Sequence, residues 1–211
     1  MRKNSTSLTS ARPLIVDFIG GSLNHRLNFG GGIKQNLAKA VGIKSGIRPD
    51  IIDATAGLGR DSFILASMGS HITLIERSQI MHDLLADGMK KASREGGKLS
   101  EIIACMTLIH GDAIEILPQT STDVIYIDPM HPPRQKSALV KTEMRQIRAI
   151  VGEDLDQLQL IKTALGANCR RVALKWPAKS PLPDGLPECS HQLVGKSVRF
   201  DIFMNANLDE T

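Results

Sequence analysis

From Asp50 to its end the chain repeats one pattern: a short apolar run, a polar or glycine-bearing turn, then a stretch of helical periodicity. Side chains alternate faces along a strand but return every three to four residues on a helix, so this rhythm restricts the chain to strands joined by covering helices. Strands are expected at "DIIDATA", "HITLIER", "MTLIHGD", "DVIYIDP", "RVALKWP" and "VRFDIFMN". Helices are expected where Ile80, Leu84, Leu85 and Met89 recur behind a capping Ser78, and where Leu155, Leu158, Ile161 and Leu165 recur before Gly166 and Asn168. Such alternation predicts a doubly wound α/β fold with a mostly parallel sheet. Because "VRFDIFMN" follows "HQLVGKS" as a hairpin would, an antiparallel strand is expected at the sheet edge near the C-terminus.

A chain of 211 residues, 42% apolar and 23% charged, suits one domain with an appendage and excludes wholesale disorder. The expected division falls between residues 45 and 46. Residues 1–45 hold a polar, Ser/Thr-rich start and a glycine-rich helical appendage, and residues 46–211 form the main domain. The net charge of +4 fits an anionic partner, although a solvated surface gives the same sum. Cys105, Cys169 and Cys189 lack CxxC spacing and read as small buried hydrophobes of a reducing compartment. Asp17 interrupts the first apolar run, and no run is long enough to span a bilayer, so a cytoplasmic protein is expected. His71, His82, His110 and His191 show no ligand spacing, and no metal is expected.

Chemistry-bearing residues gather at the predicted strand ends. In "IIDATAGLGRDSF", Gly57 and Gly59 permit a tight turn and close approach of a ligand, and Arg60 and Asp61 open the next helix. Turn glycines alone would read the same way, and Asp61 could simply cap its helix. Glu76 closes "HITLIER" about twenty residues on, where an acid binds ribose hydroxyls. Arg77 stands beside it, facing either the pocket or solvent. Asp112 closes the next strand, placed to accept from an adenine amino group, with Ala113 alongside the ring. Three successive strand ends thus spell an adenosine site.

The fourth strand ends in "IYIDPMHPPRQKS". Asp128 offers a carboxylate acceptor and Pro129 a carbonyl with no competing N–H. His131 can stack on a base or hydrogen-bond to its edge, and Asp128 can contact either an amine or the ligand's amino-acid part.

"DATAGLGRD", "LIER", "HGDA" and "DPM", in this order, resemble class I S-adenosylmethionine-dependent methyltransferases. Asp128-Pro129-Met130-His131 resembles the Asp/Asn-Pro-Pro-aromatic tetrapeptide of enzymes that methylate exocyclic amines of bases. A closer resemblance, from Val16 to the C-terminus, is to the ribosomal RNA small subunit methyltransferase J family. It is carried by "VDFIGGSLNHR", "FGGG", "DATAGLGRD", "DPMHP", "QKSALVK" with "EMR", and "RFDI". The resemblance implies a Rossmann-like fold, S-adenosyl-L-methionine as cofactor, and methylation of the exocyclic N2 amine of a guanosine in 16S ribosomal RNA. The RNA or the small ribosomal subunit would be the partner. It further implies catalytic roles for Asp128, Pro129 and His131, and cofactor binding by Gly57, Gly59, Arg60, Asp61, Glu76, Arg77, Asp112, Ala113 and Asp128. The chain departs from the pattern in a shorter N-terminal part and in His131, where Phe or Tyr is usual.

Beyond the catalytic turn, Arg134, Lys136, Lys141, Arg145 and Arg148 are opposed only by Glu143. A charge run is ordinarily a solvated face, but beside this turn it reads as an RNA-phosphate surface. Lys175 and Lys179 are expected to emerge on the same edge. With aromatics at 3%, recognition by shape and backbone is expected rather than stacking along a single strand. "NFGGGIKQ" lacks GK[ST] and is no Walker loop. Trp176 reads as core packing or as a border of the site mouth.

Overall fold

The computed structural model describes residues 14–20, 23, 26, 27, 31–129 and 156–205. Its seven strands are β1 (Ile51–Asp53), β2 (Ile72–Glu76), β3 (Met106–His110), β4 (Ser121–Ile127), β5 (Asn168–Pro177), β6 (His191–Val194) and β7 (Val198–Met204). They form one sheet in the order β3-β2-β1-β4-β5-β7-β6. The first five positions are parallel, and β7 pairs antiparallel with both β5 and β6. The expected hairpin therefore forms, but its last strand is not the edge. β7 is buried at five consecutive residues and sits inside the sheet, whereas β6 has no buried residue and closes it. A strand with both faces covered tends to be apolar along its length, and the two buried charges of "RFDIF" are paired, Arg199 Nε donating to Asp201 Oδ2 at 2.9 Å.

The described helices are α1 (Asn36–Ala40), α2 (Arg60–Ala66), α3 (Gln79–Arg94), α4 (Gly97–Ala104), α5 (Ala113–Ile116) and α6 (Gln157–Gly166). Strand alternation divides the core between them. Ile51, Leu74, Val124, Tyr126 and Ala173 face a cluster shared with α1 to α4. Their neighbours Ile52, Ile75, Ile125, Val172 and Leu174 face the opposite cluster with α5 and α6. Each fully buried Ile or Leu stabilises the fold by about 1.5–3 kcal/mol, so both faces hold the sheet strongly. Trp176 belongs to the second cluster, and its indole N–H donates to the Pro181 carbonyl at 2.9 Å, which makes it a packing residue.

The expected face of α3 packs on the core through Leu84, Leu85 and Met89 but not Ile80, and it extends to residues that were not expected. Met81, Leu85, Gly88 and Ala92 are buried, while Ile80 is 56% exposed. Ser78 does cap this helix, accepting from the Met81 amide at 3.4 Å. The helix turns its small residues inward because the N-terminal segment lies across it: a methyl on Gly88 would stand 2.6 Å from Val16 Cγ1. Phe18 continues this strap and stacks on Phe63 of α2 with ring centroids 4.9 Å apart. Leu37, Ala38, Ala40 and Val41 of the glycine-rich segment are buried in the same cluster. Arg171 on β5 fixes them by donating to the Lys39 and Ala40 carbonyls.

Candidate active site

The strand order reverses direction between β1 and β4, and in open α/β sheets ligands bind outside the carboxyl ends of strands at such a switch point. An open cleft lies here. Gly57, Glu76, Arg77, Asp112, Ala113 and Asp128 all line it, so the structure brings together six of the residues singled out by sequence.

Two of its acids are fixed by backbone donors. Glu76, 6% exposed, accepts from the Gly57 amide at 2.9 Å with one oxygen and from the Ser78 amide at 2.8 Å with the other. Gly57 adopts φ +52°, which turns its N–H toward that carboxylate. Asp112 caps α5, accepting from the Ile114 amide at 2.8 Å. Ala54, Ile75, Ile114 and Leu160 supply apolar wall between the acids. Arg77 reaches across the opening to Asp156 at 2.8 Å, tying the end of β2 to the start of α6.

Gly59, Arg60 and Asp61 are not among the lining residues. Gly59, at φ +65°, serves packing: a methyl there would come within 2.8 Å of Leu85 Cδ1 and 3.3 Å of Phe18. Arg60 is exposed at the start of α2. Asp61 belongs to an ion cluster directly behind Asp128.

Asp128 follows β4 beside the buried Pro129. Its amide donates to Thr55 Oγ1 at 2.7 Å, which locks this turn to the one after β1. Its Oδ2 accepts from Lys175 Nζ at 2.7 Å, and the same ammonium donates to Asp61 Oδ2 at 2.8 Å. Asp61 also receives the Tyr126 hydroxyl at 2.7 Å and the Arg26 guanidinium, which holds Gln35 as well. Burial raises the Asp128 carboxyl and Asp61 adds to the rise, while Lys175 opposes both. Burial would also raise Asp61, but Lys175 and Arg26 outweigh it and hold that carboxyl well below the usual range. Burial alone would lower the Lys175 ammonium, yet Asp128 and Asp61 hold it above its ordinary value. Asp53, at the end of β1, accepts from the Thr55 amide at 3.0 Å and from the Ser62 hydroxyl. Burial pushes its carboxyl up to about 7 against those hydrogen bonds.

Lys175 thus corrects an expectation. It lies within β5 with its side chain 22% exposed and both neighbouring carboxylates engaged, so it does not emerge as part of a surface for phosphate. His131, Arg134, Lys136, Lys141, Arg145 and Arg148 lie outside the described residues. Thr55, Asp53, Asp156 and Gln157 were not singled out by sequence. Only Lys175 and Asp53 carried a signal there, each being a charge set directly in an apolar run that demands a partner.

The family model for SAM-dependent methyltransferases matches residues 2–205. The ribosomal RNA small subunit methyltransferase J of Brucella anthropi is 53% identical over 195 residues, which cover 92% of this chain and 95% of that protein. The chain belongs to the ribosomal RNA small subunit methyltransferase J family. The member from Pseudomonas aeruginosa strain UCBPP-PA14 is 46% identical, and there the match spans 92% of this chain but 75% of the relative. In a solved structure, the SAM-dependent methyltransferase of Neisseria gonorrhoeae superposes with a TM-score of 0.74 at 32% identity, covering 96% of this chain and 78% of its own. Membership in the methyltransferase J family makes S-adenosyl-L-methionine the cofactor of this protein.

Proposed function

We propose that the protein methylates the exocyclic N2 amine of a guanosine in 16S ribosomal RNA, using S-adenosyl-L-methionine. The observation that carries the cofactor assignment is the charge of the cleft: Glu76, Asp112, Asp128 and Asp156 line it against Arg77. An acidic cleft suits a ligand bearing a sulfonium and an ammonium, and it repels the paired phosphates of a nicotinamide dinucleotide. The Gly57 amide, which a phosphate would need, is already given to Glu76.

In this reading Glu76 accepts the ribose hydroxyls, Asp112 accepts from the adenine amine, and Ala113, Ile75 and Leu160 enclose the ring. The bound cofactor supplies an electrophilic methyl on sulfur. The guanine N2 amine is a weak nucleophile because its lone pair is delocalised, so the protein must orient it and stabilise charge developing on nitrogen. Asp128 does the second: one oxygen is held by Lys175, and the other has no partner among the described residues. The Pro129 carbonyl adds an acceptor, and His131 contacts the base. Arg134, Lys136, Lys141 and Arg145 hold RNA phosphates. The guanosine, the 16S RNA and these contacts rest on the kinship with proteins named for methylating small-subunit ribosomal RNA.

The test is methyl transfer by the purified protein to small-subunit RNA or particles from a strain lacking the gene, with the product mapped by mass spectrometry. Methylation at guanosine N2 supports the assignment. Methyl groups on another base, or none with S-adenosylhomocysteine unbound, overturn it.

A further inference from the structure

We propose that Lys175 is a positioning residue for methyl transfer, holding the Asp128 carboxylate ionised and in place through a bridge to Asp61 that Arg26 and Tyr126 secure. This rests on the reading of Asp128 as the acceptor that stabilises charge on the substrate amine.

A lysine in an interior strand of the sheet costs free energy unless it is paired, and one carboxylate would satisfy that need. Lys175 has two, at 2.7 Å and 2.8 Å, and they come from different elements: Asp128 from the end of β4 and Asp61 from the first turn of α2. Two carboxylates on one ammonium repel each other, so the arrangement needs further positive charge and donors. Arg26 from the N-terminal segment and the Tyr126 hydroxyl from β4 supply these to Asp61. The result is directional. Asp61 is saturated with donors, whereas Asp128 receives Lys175 on one oxygen and presents the rest of its carboxylate to the cleft.

Among the described residues, the charged and titratable groups around this pair are Asp53 from β1, Asp61 from α2, Tyr126 from β4 and Arg26 from the N-terminal segment. From β7, Lys175 meets the uncharged Phe200 in register. Asp128 stands among acids, with Lys175 the main influence opposing its protonation. Without Lys175, burial and Asp61 would act unopposed at close range, and Asp128 would take up a proton at higher pH. With Asp61 neutral, the ammonium would serve Asp128 alone and the carboxyl would release its proton at lower pH.

The experiment measures single-turnover methyl transfer against pH for the wild type, Lys175→Met, Lys175→Arg, Asp61→Asn and Asp128→Asn, with S-adenosylhomocysteine affinity and melting temperature for each. In Lys175→Met the acid limb should move up by a pH unit or more, with activity recovering as pH rises. Lys175→Arg should restore most of the wild-type profile. Asp61→Asn should move the limb the opposite way, to lower pH, a pair of opposite shifts that damage to the fold does not produce. Should Lys175→Met fail to fold, the Arg and Asn variants still decide the matter. An unshifted limb in folded variants, with the rate lowered equally at every pH, makes Lys175 a structural ion-pair residue and overturns the proposal. A wild-type rate in Asp128→Asn instead overturns the underlying reading of Asp128.

Discussion

Glu76 combines two tasks in one carboxylate. It closes the glycine turn by accepting the Gly57 and Ser78 amides, and it stands in the cleft where the ribose is proposed to bind. Glu76→Ala should therefore weaken S-adenosylhomocysteine binding by about 1.5–3 kcal/mol, the scale of a lost hydrogen bond to a charged group. Calorimetry giving unchanged affinity would reject the ribose role. Asp53 makes a separate prediction about pH. Its carboxyl titrates near 3.8 when free and at about 7 in the fold. Between those values the native state keeps a proton that the unfolded chain has released, so its contribution to stability falls as pH rises and levels off above about 7. Asn at this position keeps the shape and stays neutral. The stability of Asp53→Asn relative to wild type should thus climb by up to about 1.4 kcal/mol per pH unit across the window, and denaturant titrations giving a constant difference would refute this. Glu76, Asp112 and Asp128 were legible in the sequence because each closes or directly follows a strand-like run. The partners of Lys175 were not, since Asp128 and Asp61 lie 47 and 114 residues away and only the folded sheet brings them together.

The element that departs most from expectation is α3. Hydrophobic periodicity pointed to Ile80, Leu84, Leu85 and Met89; the last three do pack on the core, but Ile80 is exposed and the helix also buries Met81, Gly88 and Ala92. Small residues carry little hydrophobic signal, so a helix chosen for close approach by a strap misleads a reading based on size. In isolation Gly→Ala favours a helix by about 1 kcal/mol. Gly88→Ala should nevertheless destabilise this protein, because the added methyl meets Val16 side-chain and backbone atoms at 2.6–2.9 Å. Overpacking typically costs about 1–3 kcal/mol. Thermal unfolding should give a lower midpoint, with faster amide exchange at Val16 and Phe18. A raised midpoint would mean that the strap does not rest on the helix. The hairpin, by contrast, was legible as a pair but not in its place. Nothing local to "HQLV" or "VRFDIFMN" says which strand reaches β5, and burial of both faces of β7 decides it.

At the scale of the whole molecule, a chain of net charge +4 presents an acidic cleft, so its basic residues must lie mainly elsewhere. That separation suits a cationic cofactor in the cleft and an anionic RNA on the surface beside it. Reversing the charge of Lys136 and Lys141 should lower RNA affinity and flatten its dependence on salt by about one unit of slope per lost phosphate contact, leaving cofactor affinity alone. An unchanged slope would leave those lysines merely solvated. The mostly parallel sheet was readable from the strand–helix rhythm, and the gathering of acids from the residues at its predicted strand ends, whereas the strand order and its switch point came only with the fold. So did the ion cluster behind Asp128. The central claim is that Asp128 stabilises charge on the substrate amine from within this cleft. Single-turnover methyl transfer by Asp128→Asn tests it most directly: the variant keeps shape and an acceptor oxygen but loses the negative charge. The rate should fall about a hundredfold or more, the loss expected for one preorganised electrostatic contact, while RNA affinity barely changes. A near-normal rate would contradict the claim and leave the turn as a scaffold of backbone acceptors.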